Sequence, residues 1–201
     1  MTRVLLVRHG QSEWNADGRW QGQADPPLTD LGREQARHAA RSLGVVDAIV
    51  SSDLQRAADT AALLSNELGV GPLVLDPDLR ERDAGEWSGL TRAEIEHGWP
   101  GYLDDLGGER RRPPGWEPDD ELLARTIASL ARIHGLAPDG EAIAVTHGGL
   151  VYVLEGHFGE PFARLPNLGG RWLEVGPKGP VRLGERVVLI DPDEVTVPSQ
   201  I

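Results

Sequence analysis

Residues 1–15 read MTRVLLVRHGQSEWN. Val4–Val7 form an apolar run without alternation, which suits a strand covered on both faces, as in a parallel sheet. The run passes directly into Arg8, His9 and Gly10. The same pattern returns at residues 142–149, AIAVTHGG, where another apolar run ends in His147, Gly148 and Gly149. In an open parallel sheet ligands bind beyond the carboxyl ends of the strands, where strand order reverses. Two strands of this kind set side by side bring both histidines to one crevice. The glycine after each lets the backbone turn sharply and approach a ligand closely.

The segments between these strands support a parallel sheet. PPLTDLGREQARHAARSLG predicts a helix with Thr29 or Asp30 as N-cap, Leu31, Gln35, Ala39 and Leu43 on one face, and Gly44 at its end. DAIVSS is a second strand, DLQRAADTAALLSNELG a helix closed by Gly69, and PLVLD a third strand. LRERDAGEWSGL reads as loop, and TRAEIEHG as a short helix whose Thr91 and Glu94 have capping-box spacing. Residues 100–118, rich in Pro, Gly, Asp and Arg, form an excursion, and loops of that length are usually functional or mobile. A helix runs from Asp119 or Asp120 to about His134. After the second His-Gly strand come a helix, LVYVLEGHFG, and two late, edge-side strands, RWLEVG and RVVLI. This order predicts an α/β fold: a three-layer αβα sandwich around a mostly parallel sheet of about six strands. A single domain over 1–201 is expected, with the excursion at about 80–118 capping the site.

Composition narrows the function. The chain has 201 residues, 26% of them charged and 39% hydrophobic, with a net charge of −12. Long-range repulsion then disfavours nucleic acid and anionic membranes as partners. A small anion is still accessible where a few arginines converge, because nearby charges dominate a pocket's field. No apolar stretch approaches the roughly 18 residues of a membrane span, and the N-terminus lacks a signal-peptide pattern. Zero cysteines exclude disulfides, thiolate metal sites and a cysteine nucleophile, and fit a cytoplasmic location, the default expectation. No second imidazole lies two or four residues from His9 or His147, so metal-ligand spacing is absent. Taken singly, each histidine reads more simply as a satisfied strand-end residue. Together, with Arg8 adjacent and Arg56 in the first turn of the helix after the second strand, they read as an anion site. Arg56 opposes its helix dipole there, a cost that is reasonable if it faces an anion. His38, His97, His134 and His157 read as ordinary surface or packing residues.

Five motifs in order, LLVRHGQSEWN, PLTDLGREQA, VSSDLQRAADTA, LRERDAGEWSGL and AVTHGG, resemble the histidine phosphatase superfamily, the phosphoglycerate-mutase-like group. They cover residues 3 to about 155. The resemblance implies a metal-independent phosphomonoesterase with no cofactor, acting on a small-molecule phosphate ester. His9 would be the nucleophile, forming a phosphohistidine, with its other ring nitrogen donating to a fixed acceptor such as a backbone carbonyl. Arg8, Arg56 and His147 would clamp the phosphoryl oxygens, His147 as a cation once phosphate is bound. Glu81, in the Leu79-x-Glu81-x-x-x-Gly85 match, would donate a proton to the leaving group, which near neutral pH requires a raised pKa; the competing reading pairs it with Arg80 or Arg82 at the surface. Asn15, Gln21, Gly22 and Gly148 would contact phosphate, with Ser12 as a weaker candidate.

Mutases of the group carry a longer insertion, a tyrosine three residues after the acid and an asparagine after the second His-Gly. Here the insertion is short and the matching residues are Ala84 and Gly149, so hydrolysis is expected. Arg110, Arg111 and Arg112 point the other way, since mutases hold a substrate carboxylate with arginines in this region; a solvated basic turn explains them equally well. The alternatives are therefore a cofactor-dependent phosphoglycerate mutase and a non-catalytic phosphate-ester binder. Trp14, Trp20, Trp87, Trp99 and Trp116 lie near the expected mouth, as loop anchors more than as stacking platforms. A homodimer through an edge strand or the tail is left open.

Overall fold

The computed structural model of the chain describes residues 1–104 and 111–198. Its strands are β1 (Thr2–Arg8), β2 (Ala48–Ser51), β3 (Val74–Leu75), β4 (Glu141–Thr146), β5 (Gly169–Gly176) and β6 (Gly179–Val188). The helices are α1 (Glu13–Ala16), α2 (Asp30–Arg41), α3 (Gln55–Leu68), α4 (Arg92–Gly98), α5 (Asp119–Leu136) and α6 (Gly148–His157).

The strands form one sheet in the order β3-β2-β4-β1-β5-β6. The first four are mutually parallel, and β5 and β6 are antiparallel. The unbroken apolar run in β1 has a direct structural cause. Val4 and Leu6 pack with Leu122, Leu130 and Ile133 of α5 and Leu150, Val151 and Leu154 of α6. Leu5 and Val7 face the other way, onto Ala39 and Ala40 of α2 and Ala57, Ala61 and Leu64 of α3. All four β1 residues are fully buried, each contributing about 1.5–3 kcal/mol. Helices thus cover both faces, as the sequence predicts.

Several local expectations change. The α2 helix stops at Arg41 with Ser42, in right-handed backbone, as C-cap, so Gly44 does not end it. Its N-cap is Thr29, and its buried face is Gly32, Gln35, Ala36, Ala39 and Ala40, whereas Leu31 is exposed. Gln35 is buried because its amide accepts from Gln11 N and donates to Glu194 O. The third strand shrinks to two exposed residues at the sheet edge. The loop after it holds two 3-10 turns, at Pro77–Leu79 and Gly85–Trp87. The late strands lie together on one side of the sheet, β5 beside β1 and β6 at the edge, as expected. The capping box at Thr91 and Glu94 and the left-handed Gly69 C-cap form as expected.

The topology positions the site. β4 is inserted between β1 and β2, with Arg8 opposite Thr146 and Ser51 opposite Val145. His9 N donates to Thr146 O at 3.0 Å, and Ser52 N to Val145 O at 2.9 Å. Three parallel strands therefore deliver His9, His147 and Ser52 to the same end of the sheet.

Candidate active site

His9 and His147 meet edge to face, with ring centroids 5.1 Å apart. His9 Nδ1 lies 2.6 Å from the Gly10 carbonyl oxygen. A carbonyl only accepts, so Nδ1 carries the proton and Nε2 the lone pair. The Arg56 Nε–H donates to that lone pair at 3.2 Å. Asn167 fixes the His9 backbone by donating from Nδ2 to its carbonyl at 2.9 Å. Burial, then Arg56 and Arg8, push the His9 pKa well below its ordinary value, so the imidazole is neutral at neutral pH.

Arg56 is fully buried and held like a strut. Its Nη1 donates to Ala24 O at 2.7 Å and its Nη2 to Gly22 O at 2.9 Å. Burial lowers its pKa to about 10, against the raising effect of Glu81 and Asp25, so it stays cationic. Arg8 donates from Nη1 to Leu165 O at 2.8 Å, while its buried Nε has no partner among the described residues. Leu165 N in turn donates to the Tyr152 hydroxyl. His147 occupies the N-cap position of α6 without a side-chain capping bond; its Nε2 is 2.9 Å from Ser52 Oγ and its Nδ1 has no partner among the described residues. Burial, then Arg56, His9 and Arg8, push the His147 pKa well down too.

Among the described residues Glu81 makes no ion pair with the side chain of Arg80 or Arg82. Arg80 engages Asp53 and Arg82 engages Asp119. Glu81 instead accepts from Arg82 N at 2.7 Å and from Gly149 N at 3.3 Å, in the first turn of α6. A Cβ on Gly149 would stand 2.1 Å from Glu81 Oε1, so only glycine admits the carboxylate here.

A cleft of about 220 Å³ is lined by Arg8, Asn15, Gln21, Gly22, Glu81 and Gly149 together with Trp20, Arg82, Arg112, Trp116, Tyr152 and Phe162; His9, Arg56 and His147, all buried, are not part of its lining. Asn15, Gln21 and Gly22 thus line it. Gly148 lies beside it, where an added Cβ would be 3.2 Å from the Tyr152 ring and 3.6 Å from Arg8 Nη1. Ser12 is fully buried; its hydroxyl accepts from Asn15 N as the α1 cap and donates to Gln21 Oε1. Arg112 lines the cleft with its guanidinium 4.5 Å from the Trp116 ring centroid. Arg111 is exposed and sits over Tyr102 instead, and Arg110 falls outside the described residues. Trp20, Trp87 and Trp116 pack on one another with centroids 5.4 to 5.8 Å apart, so anchoring of the surrounding loops is their evident role. His38, His97, His134 and His157 all lie in last turns of helices, away from this cluster.

Sequence reasoning missed Ser52, Gly149, Tyr152 and Asn167. Ser52 and Gly149 stand inside motifs already singled out, but partners 95 and 68 residues away leave no local signal. A lone-pair imidazole flanked by two guanidiniums and a second imidazole can attack an electrophile whose oxygens carry negative charge.

The family model described as the histidine phosphatase superfamily (branch 1) matches residues 4–171. The chain is 40% identical over 185 residues to a glucosyl-3-phosphoglycerate phosphatase of Mycolicibacterium vanbaalenii, covering 84% of this chain and 79% of that protein. It is 40% identical over 156 residues to a probable phosphoglycerate mutase GpmB of an Enterobacter species, covering 74% and 70%. Among solved structures it resembles a mycobacterial glucosyl-3-phosphoglycerate phosphatase in complex with VO3, with a TM-score of 0.74 and 32% identity over 90% of this chain and 96% of that one. With the residues and geometry above, these matches show that the chain belongs to the histidine phosphatase superfamily.

Proposed function

We propose that the chain hydrolyses small-molecule phosphomonoesters through a phosphohistidine on His9. The observation that carries the proposal is the state of His9: neutral, with Nδ1–H tied to Gly10 O and the Nε2 lone pair beside the Arg56 Nε–H. An entering phosphoryl group competes for that N–H and presents phosphorus to the lone pair. Nε2 attacks phosphorus, the bond to the ester oxygen breaks, and Glu81 gives its proton to the departing oxygen. Water then gives a proton to the Glu81 carboxylate and attacks phosphorus; the P–N bond breaks, freeing phosphate and neutral His9. Arg8, Arg56 and His147 stabilise charge on the equatorial oxygens. Burial is the larger cause that depresses His147 and nearby positive charge the smaller; a bound dianion works against only the second.

The relatives named as glucosyl-3-phosphoglycerate phosphatases make that compound the first physiological ester to assay. The mutase reading is favoured by the GpmB relatives and opposed by Ala84 and Gly149. Incubation with p-nitrophenyl phosphate in EDTA tests hydrolysis: release of nitrophenolate, abolished in His9→Ala, is expected, and no release from any phosphomonoester would favour a binder. Rapid conversion of 3-phosphoglycerate to 2-phosphoglycerate with trace 2,3-bisphosphoglycerate would show a mutase instead.

A further inference from the structure

Ser52, the residue after β2, is fully buried. Its Oγ accepts the Leu54 N–H at 3.2 Å and lies 2.9 Å from His147 Nε2. Which of the last pair donates follows from accounting for every buried proton. If Nε2–H donated to Oγ, the serine hydroxyl proton would have no acceptor among the described residues and the Nδ1 lone pair no donor. If Oγ–H donates to Nε2, the hydroxyl proton is placed and the ring carries its own proton on Nδ1. One group is then left without a partner, and it is a donor. Each unmade buried hydrogen bond is costly, so the second arrangement is the stable one.

We infer that Ser52 is a positioning residue: by donating to His147 Nε2 it holds the ring proton on Nδ1, leaving that N–H, the one uncommitted polar atom of the ring, for an oxygen of the phosphoryl group. The neutral ring is then already a donor and needs no positive charge. Protonating Nε2 as well would turn the Ser52 hydroxyl away from its acceptor. The depressed basicity of the buried ring agrees with this arrangement. Ser52 acts through His147 and not on the substrate. The inference rests on the phosphoryl-binding reading of the site only for its catalytic consequence.

Nitrogen-15 chemical shifts of the histidine rings, with His147 identified by its loss in His147→Asn, test the assignment near neutral pH. Wild-type protein is expected to show Nδ1 as the protonated and Nε2 as the unprotonated nitrogen. In Ser52→Ala the tautomers should mix, and kcat for p-nitrophenyl phosphate should fall about 10- to 100-fold, the usual effect of removing a group that orients an imidazole. Ser52→Thr, which keeps the hydroxyl, should restore both. A wild-type ring protonated on Nε2 would overturn the inference, as would a Ser52→Ala protein with unchanged tautomer and kcat. The shifts are read on the protein alone, so a chain that hydrolysed no ester would sink the proposed function and leave the tautomer assignment standing.

Discussion

Glu81 reaches the site because the residue facing it, Gly149, has no side chain; an alanine there would place Cβ 2.1 Å from a carboxylate oxygen. Gly149→Ala must therefore displace Glu81. If Glu81 is the acid, the damage should depend on the leaving group. Hydrolysis of an alkyl phosphate, whose alkoxide needs a proton, should fall about 10²- to 10⁴-fold, and that of p-nitrophenyl phosphate much less. Equal losses on both substrates would remove Glu81 from the acid's role. Arg56 permits a second test at this scale. Three of its five N–H donors go to three fixed acceptors, His9, Ala24 and Gly22, a fork that lysine cannot reproduce. Arg56→Lys should lower kcat about 10²- to 10³-fold while the charge is kept; a near-normal kcat would mean that charge alone suffices.

At the scale of elements, the loops around the cleft depend on a small core of their own. Trp87 is fully buried among Ala84, Ile95, Trp20 and Trp116, and Gly85 N–H and Glu86 N–H tie this turn to Asp83 and Pro114. Trp87→Ala should cost about 3–5 kcal/mol, read as a shift in the urea midpoint, and should disturb the cleft walls formed by Trp20 and Trp116. Unchanged denaturation would mean that this cluster opens independently of the sheet. Much at this scale was legible beforehand. The apolar runs of β1 and β4, the Gly69 cap and the Thr91 capping box are local signals that local forces satisfy. The end of α2 and the length of β3 were not, because Ser42 and the edge position of Val74–Leu75 are chosen by neighbours distant in the chain.

For the whole molecule, burying two neutral imidazoles ties stability to pH. Folded His9 and His147 have pKa values well below 6.5, whereas in the unfolded chain both titrate near that value. Between the two, the unfolded state binds more protons, so stability falls as pH drops below about 6.5 and is retained above it. The slope should approach about 2.7 kcal/mol per pH unit when both groups contribute. Thermal melts from pH 7.5 to 5 in a buffer free of phosphate should show this, and His147→Asn should shrink it; a flat profile would mean that these rings are not held neutral.

From the letters alone came the mostly parallel sheet, the two histidine-bearing strand ends, and the resemblance to the family that Arg8, His9, Arg56, Glu81 and His147 carry. Periodicity, caps and motif spacing are written within a few residues and need no partner. Tertiary structure alone decided that Ser52 touches His147, that Gly149 makes room for Glu81, that Ser12 is spent on a helix cap, and that Arg111 turns to Tyr102 while Arg112 joins the cleft. Each of these depends on which side chain the sheet order and helix packing bring opposite another, a distance that no spacing along the chain encodes.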